Sequence, residues 1–193
     1  MTPFTRTTRW FAACALALVG GTAARAGLLP VSVTITPDGG NYRWTYAIVL
    51  PTDTQLRAGD FFTIYDFAGL TTTSNVQPDG WKFSQANVGP TPTGVTPTDD
   101  PTLPNLTWTY TGPTINSGQI GLGNFWADSA YGTSTDSSFT AKTQRTADGK
   151  VDANITSTVV PVPSPNLVPE PGTLALAGIG LPLLGLFRRR RLV

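Results

Sequence analysis

Apolar and polar positions alternate most clearly in Tyr42-Arg43-Trp44-Thr45-Tyr46-Ala47-Ile48, which sets Tyr42, Trp44, Tyr46 and Ile48 on one face of a strand. Residues 31–36 alternate in the same way, and Pro37-Asp38-Gly39-Gly40 between the two runs is turn chemistry. Residues 28–50 are therefore expected to form a hairpin. Further strands are expected at 60–66, 80–84, 106–111, 117–127, 138–146 and 151–160, divided by Gly-, Pro- and Asn-rich breaks. About eight short strands with no helical periodicity between them predict an all-β fold, an antiparallel β-sandwich. A jelly roll or a small barrel fits the same pattern. Residues 89–104 carry five prolines and Asp99-Asp100, the composition of a long surface loop.

At the two ends the pattern changes from alternation to unbroken apolar runs. Arg6 and Arg9 precede an apolar run at 10–21, and Ala24-Arg25-Ala26 precedes Gly27. This is the three-part form of a secretory signal peptide, with cleavage expected after Ala26, the small residues Ala24 and Ala26 facing the peptidase and Gly27 becoming the first residue. A permanent anchor fits less well, because a run of about a dozen residues is too short for roughly 30 Å of hydrocarbon. The chain is thus divided into a signal peptide (1–26), a β-sandwich domain (27–160), a Pro-rich spacer (161–168) and a C-terminal tail (169–193).

That tail reads Pro169-Glu170-Pro171, an apolar span at 173–187 expected to be a transmembrane helix, and then Arg188, Arg189, Arg190 and Arg191. The apolar stretch at 174–187 gives only about 21 Å of helix, so crossing requires the arginines to snorkel and the bilayer to thin locally. Four consecutive arginines hold their end in the cytoplasm, which puts Glu170 and everything before it on the far side. The signal peptide demands the same orientation.

The tail closely resembles the PEP-CTERM sorting signal, which orders a Pro-Glu-Pro motif, a transmembrane stretch and an arginine cluster at the extreme C-terminus. A plain tail anchor explains the apolar run and the arginines but not the Pro-Glu-Pro. The resemblance covers roughly the last 26 residues and is silent on the domain in front. It implies export in a Gram-negative bacterium and recognition by a membrane-embedded exosortase that processes the tail near the motif. It also implies an association with exopolysaccharide and biofilm matrix. The partners expected are the secretion machinery with its signal peptidase, the exosortase, the membrane and an extracellular polysaccharide. The chain is expected to be anchored at the inner membrane with its β domain in the periplasm, and then to reach the cell surface or the exterior.

Charge alters the picture of the middle domain. Seven of the 13 basic residues lie in the end segments, leaving Arg43, Arg57, Lys82, Lys142, Arg145 and Lys150 against 11 aspartates, a net charge near −5. An acidic domain without a basic stripe repels phosphate backbones, so nucleic acid is not an expected partner. The one cysteine, Cys14, would leave with the signal peptide, and the chain has no histidine. Thiol redox chemistry, cysteine or histidine metal sites and the commonest general base are thereby removed, and no enzyme activity is expected.

The aspartates stand mostly beside Gly, Pro or Thr, where turns use them for local backbone hydrogen bonds. No cofactor is expected, with calcium the one left open, since it needs only oxygen ligands. Asp99, Asp100, Asp148 and Asp152 are the candidates. Trp44, Trp81, Trp108, Trp126 and Tyr131 are core residues by default, or a sugar-stacking platform if several share an exposed face. Asn105-Leu106-Thr107 and Asn154-Ile155-Thr156 fit the glycosylation sequon, although β propensity accounts for the threonines. The sequence points first to a non-enzymatic surface or matrix protein. A carbohydrate-binding module is the alternative, and after it an exported hydrolase with paired aspartates in a cleft.

Overall fold

The computed structural model describes residues 27–116 and 118–164, apart from the side chains of 72–74. The expected signal peptide, the Pro-Glu-Pro motif, the apolar span and the arginine cluster lie outside these residues. Among the described residues no helix is long and apolar enough to cross a membrane.

Ten strands occur here: β1 (Leu29–Asp38), β2 (Asn41–Leu50), β3 (Thr54–Gln55), β4 (Phe61–Ile64), β5 (Leu70–Val76), β6 (Trp81–Ala86), β7 (Asn105–Tyr110), β8 (Ile120–Ser129), β9 (Thr133–Arg145) and β10 (Val151–Val162). They build a four-stranded sheet in the order β1-β2-β8-β5 and a six-stranded sheet in the order β10-β9-β4-β7-β6, with β3 paired to β9. Every pairing is antiparallel. The all-β expectation holds, and the sheets stack face to face as in a sandwich.

The first hairpin forms where the alternation places it. Asp38 pairs with Asn41 across Gly39 and Gly40, whose φ angles of 56° and 91° are the left-handed values that a two-residue hairpin loop requires and glycine adopts without strain. Trp44, Tyr46, Ile48 and Leu50 turn inward and are buried, whereas Tyr42 stays exposed at the end of its strand.

Opposite them stand Phe62 and Ile64 of β4, Leu106 and Trp108 of β7, Trp81 of β6, Phe139 and Ala141 of β9, and Val160 of β10. Phe62 is the centre of this layer. Its ring lies 4.9 Å from Phe125 of the facing sheet and 5.2, 5.4 and 5.5 Å from Trp108, Phe139 and Trp81 of its own. Those are stacked and edge-to-face geometries, each worth about 0.5–1.5 kcal/mol beyond the area buried.

The strands depart from the sequence reading in several places: β3 and β5 lie outside the expected strands, β8 spans Ile120–Ser129 rather than 117–127, and the limits of β9 and β10 move. β5 has no amphipathic alternation in Leu70-Thr71-Thr72-Thr73-Ser74-Asn75-Val76, and it forms an irregular edge whose register on β8 shifts between Leu70 and Asn75. β9 begins at Thr133, earlier than 138, because polar Ser and Thr pair on an outer hairpin without a hydrophobic signal. β10 runs to Val162, two residues into the expected spacer. Pro161 is tolerated there because β10 is a sheet edge, and Val162 pairs with Thr133.

The proline-rich loop is more than a loose excursion, for it covers the outer face of the six-stranded sheet. Thr107, Thr63 and Thr140 stand in one row across β7, β4 and β9 and are all buried. The Thr63 hydroxyl donates to the Pro90 carbonyl at 3.0 Å and lies 3.0 Å from the Thr107 hydroxyl. The Tyr65 hydroxyl meets Thr91 at 2.8 Å and Thr140 at 3.3 Å. A polar row under a loop satisfies its hydroxyls locally, which an apolar inner face could not do.

Candidate functional site

Three of the four expected calcium ligands are committed to other partners. In the loop, the Asn105 amide donates to Asp99 Oδ1 at 2.9 Å, and the Thr102 amide and hydroxyl donate to Asp100 Oδ1 at 2.9 and 2.7 Å. The Thr102 bonds to its charged form hold the Asp100 carboxyl below its ordinary value. In the β9–β10 turn, Asp148 accepts from the Arg145 guanidinium at 2.8 Å and the Lys150 amide at 3.1 Å. Asp152 is buried on the inner face of β10, apart from that turn. Asp148 and Asp152 therefore serve different surfaces, and no group of three or more His, Cys, Asp or Glu gathers among the described residues.

The aromatic residues do not form a platform. Trp44, Trp81 and Trp108 are core residues. Trp126, on the outer face of the four-stranded sheet, is covered by Arg43, whose guanidinium carbon lies 3.7 Å from the ring centroid. Arg43 also pairs with Asp38 and with Asp128 at 3.4 Å, which fixes it over the ring. Both sequons are closed by folding. Asn105 is fully buried and accepts from the Asp66 amide at 2.9 Å, and the Asn154 amide donates to the Leu28 carbonyl at 3.0 Å.

The structure also shows a concave feature outside the sequence reading, a shallow depression of about 370 Å³ on the β9–β10 hairpin. Its walls are Asp66 and Thr98 on one side and Asp136, Ser137, Ser138 and residues 155–157 on the other. Asp66 has a φ of 58°, a conformation rare for a residue with a side chain, and the surrounding bonds hold it there. The Asp100 amide donates to its Oδ1 at 2.7 Å and the Ser137 hydroxyl to its Oδ2 at 3.1 Å. Both oxygens are thereby held, one by the proline-rich loop and the other by β9.

A second shallow concavity, lined by residues 30–33 and 157–159, shares Asp136 and Ser157 with the first and lies between the edge strands β1 and β10. These edges do not pair. Pro30 has no amide hydrogen, and the register of β1 on β2 shifts between Pro30 and Ser32. The two depressions together make a strip along the hairpin in which hydroxyls and the carboxylate residues Asp66 and Asp136 are interspersed with Pro30, Val31, Val33, Ile155 and Val159. Its sequence signal is the run Thr133-Ser134-Thr135-Asp136-Ser137-Ser138, which reads as ordinary turn and strand composition until the fold lays it beside Asp66.

Among charged side chains, Asp60 is the most deeply placed. Burial pushes its carboxyl up, and the Arg57 amide at 2.8 Å, the Gln144 amide at 3.0 Å and the Lys142 ammonium at 3.9 Å pull the other way. These bonds close the turn between β3 and β4, a structural duty remote from the depression.

Residues 167–191 match the family model of the PEP-CTERM protein-sorting motif. The match takes in Pro169-Glu170-Pro171, the apolar span and the arginines, and it implies an exported chain processed by exosortase. No curated protein matches the chain.

Proposed function

We propose that this chain is a non-enzymatic β-sandwich module of the cell surface or extracellular matrix, delivered by export and exosortase sorting, that contributes adhesion or scaffolding to an exopolysaccharide layer. The observation that carries the reading is the sorting tail at 167–191 behind a single all-β domain. The domain directs most of its large rings into the core, and the outward Trp126 is covered by Arg43, which supports a packing and display role. Its net negative charge and its hydroxyl-rich β9–β10 surface suit a hydrated polysaccharide gel, in which an apolar exterior would aggregate.

The hydroxyl and carboxylate residues within that mixed strip support a second reading, a carbohydrate-binding module that recognises polyols by hydrogen bonds without ring stacking. Asp136 is the residue to change, because its carboxylate lines both depressions.

The test is fractionation of a matrix-forming host that produces either the full chain or a chain ending at residue 166. The full chain is expected in the exopolysaccharide fraction and the shortened one in the soluble periplasmic fraction. Equal distribution of the two overturns the proposal. Loss of matrix retention by Asp136→Ala with the tail intact moves the assignment to the second reading.

A further inference from the structure

The inner face of a sandwich strand is ordinarily apolar, yet the start of β10 turns Asp152 and Asn154 inward, with Thr143 of β9 directly opposite Asp152. All three are buried, at 5 %, 7 % and 0 % exposure. The Asn154 amide is clamped by its bond to the Leu28 carbonyl, which fixes its other atom, Oδ1, in place. That oxygen and Thr143 Oγ1 have no hydrogen-bond partner. The Asp152 carboxylate takes only the neighbouring Ala153 amide, at 3.1 Å, and no cation among the described residues pairs with it. Buried acceptors without partners and a buried carboxylate without a counter-charge are costly and rare, so this cluster requires an explanation.

Gly27 lies against these atoms and is itself buried. A Cβ at position 27 would fall 2.1 Å from Asn154 Oδ1 and 3.4 Å from Thr143 Oγ1, so both orphan oxygens face the side of Gly27 where a side chain would stand, and any larger residue would displace the clamped Asn154. The α-nitrogen is attached to the Gly27 Cα, about 1.46 Å away. In an unbroken chain it carries one N–H of fixed direction, and that hydrogen reaches neither oxygen. As a free ammonium it would carry three rotatable donors and a positive charge.

We infer that the pocket formed by Asn154, Thr143 and Asp152 is a socket for the α-ammonium of Gly27, created when signal peptidase cuts after Ala26. Cleavage hydrolyses the Ala26–Gly27 amide, leaving a carboxylate on the departing peptide and an amine on Gly27 that takes up a proton from water. Asn154 Oδ1 and Thr143 Oγ1 each accept a hydrogen bond from it, and Asp152 supplies the counter-charge. Processing then completes the interior of the domain and locks its first residue onto β10, the strand that leads into the sorting tail. The inference rests on the export reading above and specifies the residue at which export ends.

The test uses mature full-length protein purified from the exporting host, its N-terminus identified by peptide mass. The rate at which an acylating reagent modifies the α-amine at pH 7 is compared with that of Lys150 in the same molecule. Three proteins are used: the wild type, Asp152→Asn, and a variant with Ser-Gly inserted after Ala26, which keeps the domain intact and moves the amine out of the socket. A neighbouring carboxylate keeps an amine protonated and unreactive, so the wild-type amine is expected to react roughly tenfold or more slowly than the extended one, with Asp152→Asn recovering most of the difference. Equal rates in wild type and extended protein overturn the socket, as does a mature chain that starts at any residue other than Gly27. A chain exported and sorted but cut elsewhere defeats the socket alone. A chain left uncut in the cytoplasm defeats the export reading with it.

Discussion

Phe62 touches four aromatic rings, one of them on the facing sheet, so its loss opens a cavity lined by rigid side chains that cannot collapse. Phe62→Ala is expected to lower stability by about 3–5 kcal/mol in urea unfolding, with the slope unchanged. Asp60 gives a prediction of sign. Burial holds its folded pKa above the unfolded value near 3.8, so the folded state binds the proton more tightly than the unfolded state does. Its ionised form costs stability at neutral pH, and that cost is relieved as pH falls through the raised pKa toward the ordinary range. Measured against Asp60→Asn, wild-type stability is expected to improve as pH falls through the raised folded pKa to the ordinary carboxylate range. A flat difference across that range contradicts the assignment. Asp100 contributes with the opposite sign, its share being present above the ordinary carboxylate range and lost as pH falls below it.

At the scale of elements, the legible strands were those with one buried face. Trp44, Tyr46 and Ile48 announced β2, and Phe62, Trp108 and Phe139 sit in strands found within a few residues of their expected positions. The illegible ones had no such face. β5 is a polar edge, β3 has two residues, and the front of β9 pairs through Ser and Thr. The depression was hidden for a related reason, since it joins Asp66 to Asp136 across 70 residues and no local pattern records that pairing. The proline loop was read as surface chain, but its lid role depends on a threonine row visible only once β7, β4 and β9 are in register. Thr63→Val removes the hydroxyl that meets both Pro90 and Thr107. It is expected to cost about 1–3 kcal/mol and to raise amide exchange across residues 89–104 while sparing β1 and β2. Uniform exchange across the domain is the contrary result.

At the scale of the whole molecule, the chain separates into a part that specifies an address and a part that folds. The sorting motif implies an exported chain, and in the proposed reading the expected signal peptide and the arginine cluster, at opposite ends of the sequence, call for the same topology. Between them, the described strands assemble a core around Trp44, Phe62, Trp108, Phe125 and Phe139. Removal of residues 167–193 is therefore expected to leave the melting temperature of the domain within about 2 °C while abolishing its sorting. The most direct test of this division is the intact mass and membrane fractionation of the full chain in two otherwise identical hosts, one with its exosortase and one without. The account predicts a chain that begins at Gly27 in both and loses its C-terminal apolar span only where the exosortase is present. A span that persists in both hosts, with the protein held in the inner membrane, would contradict it.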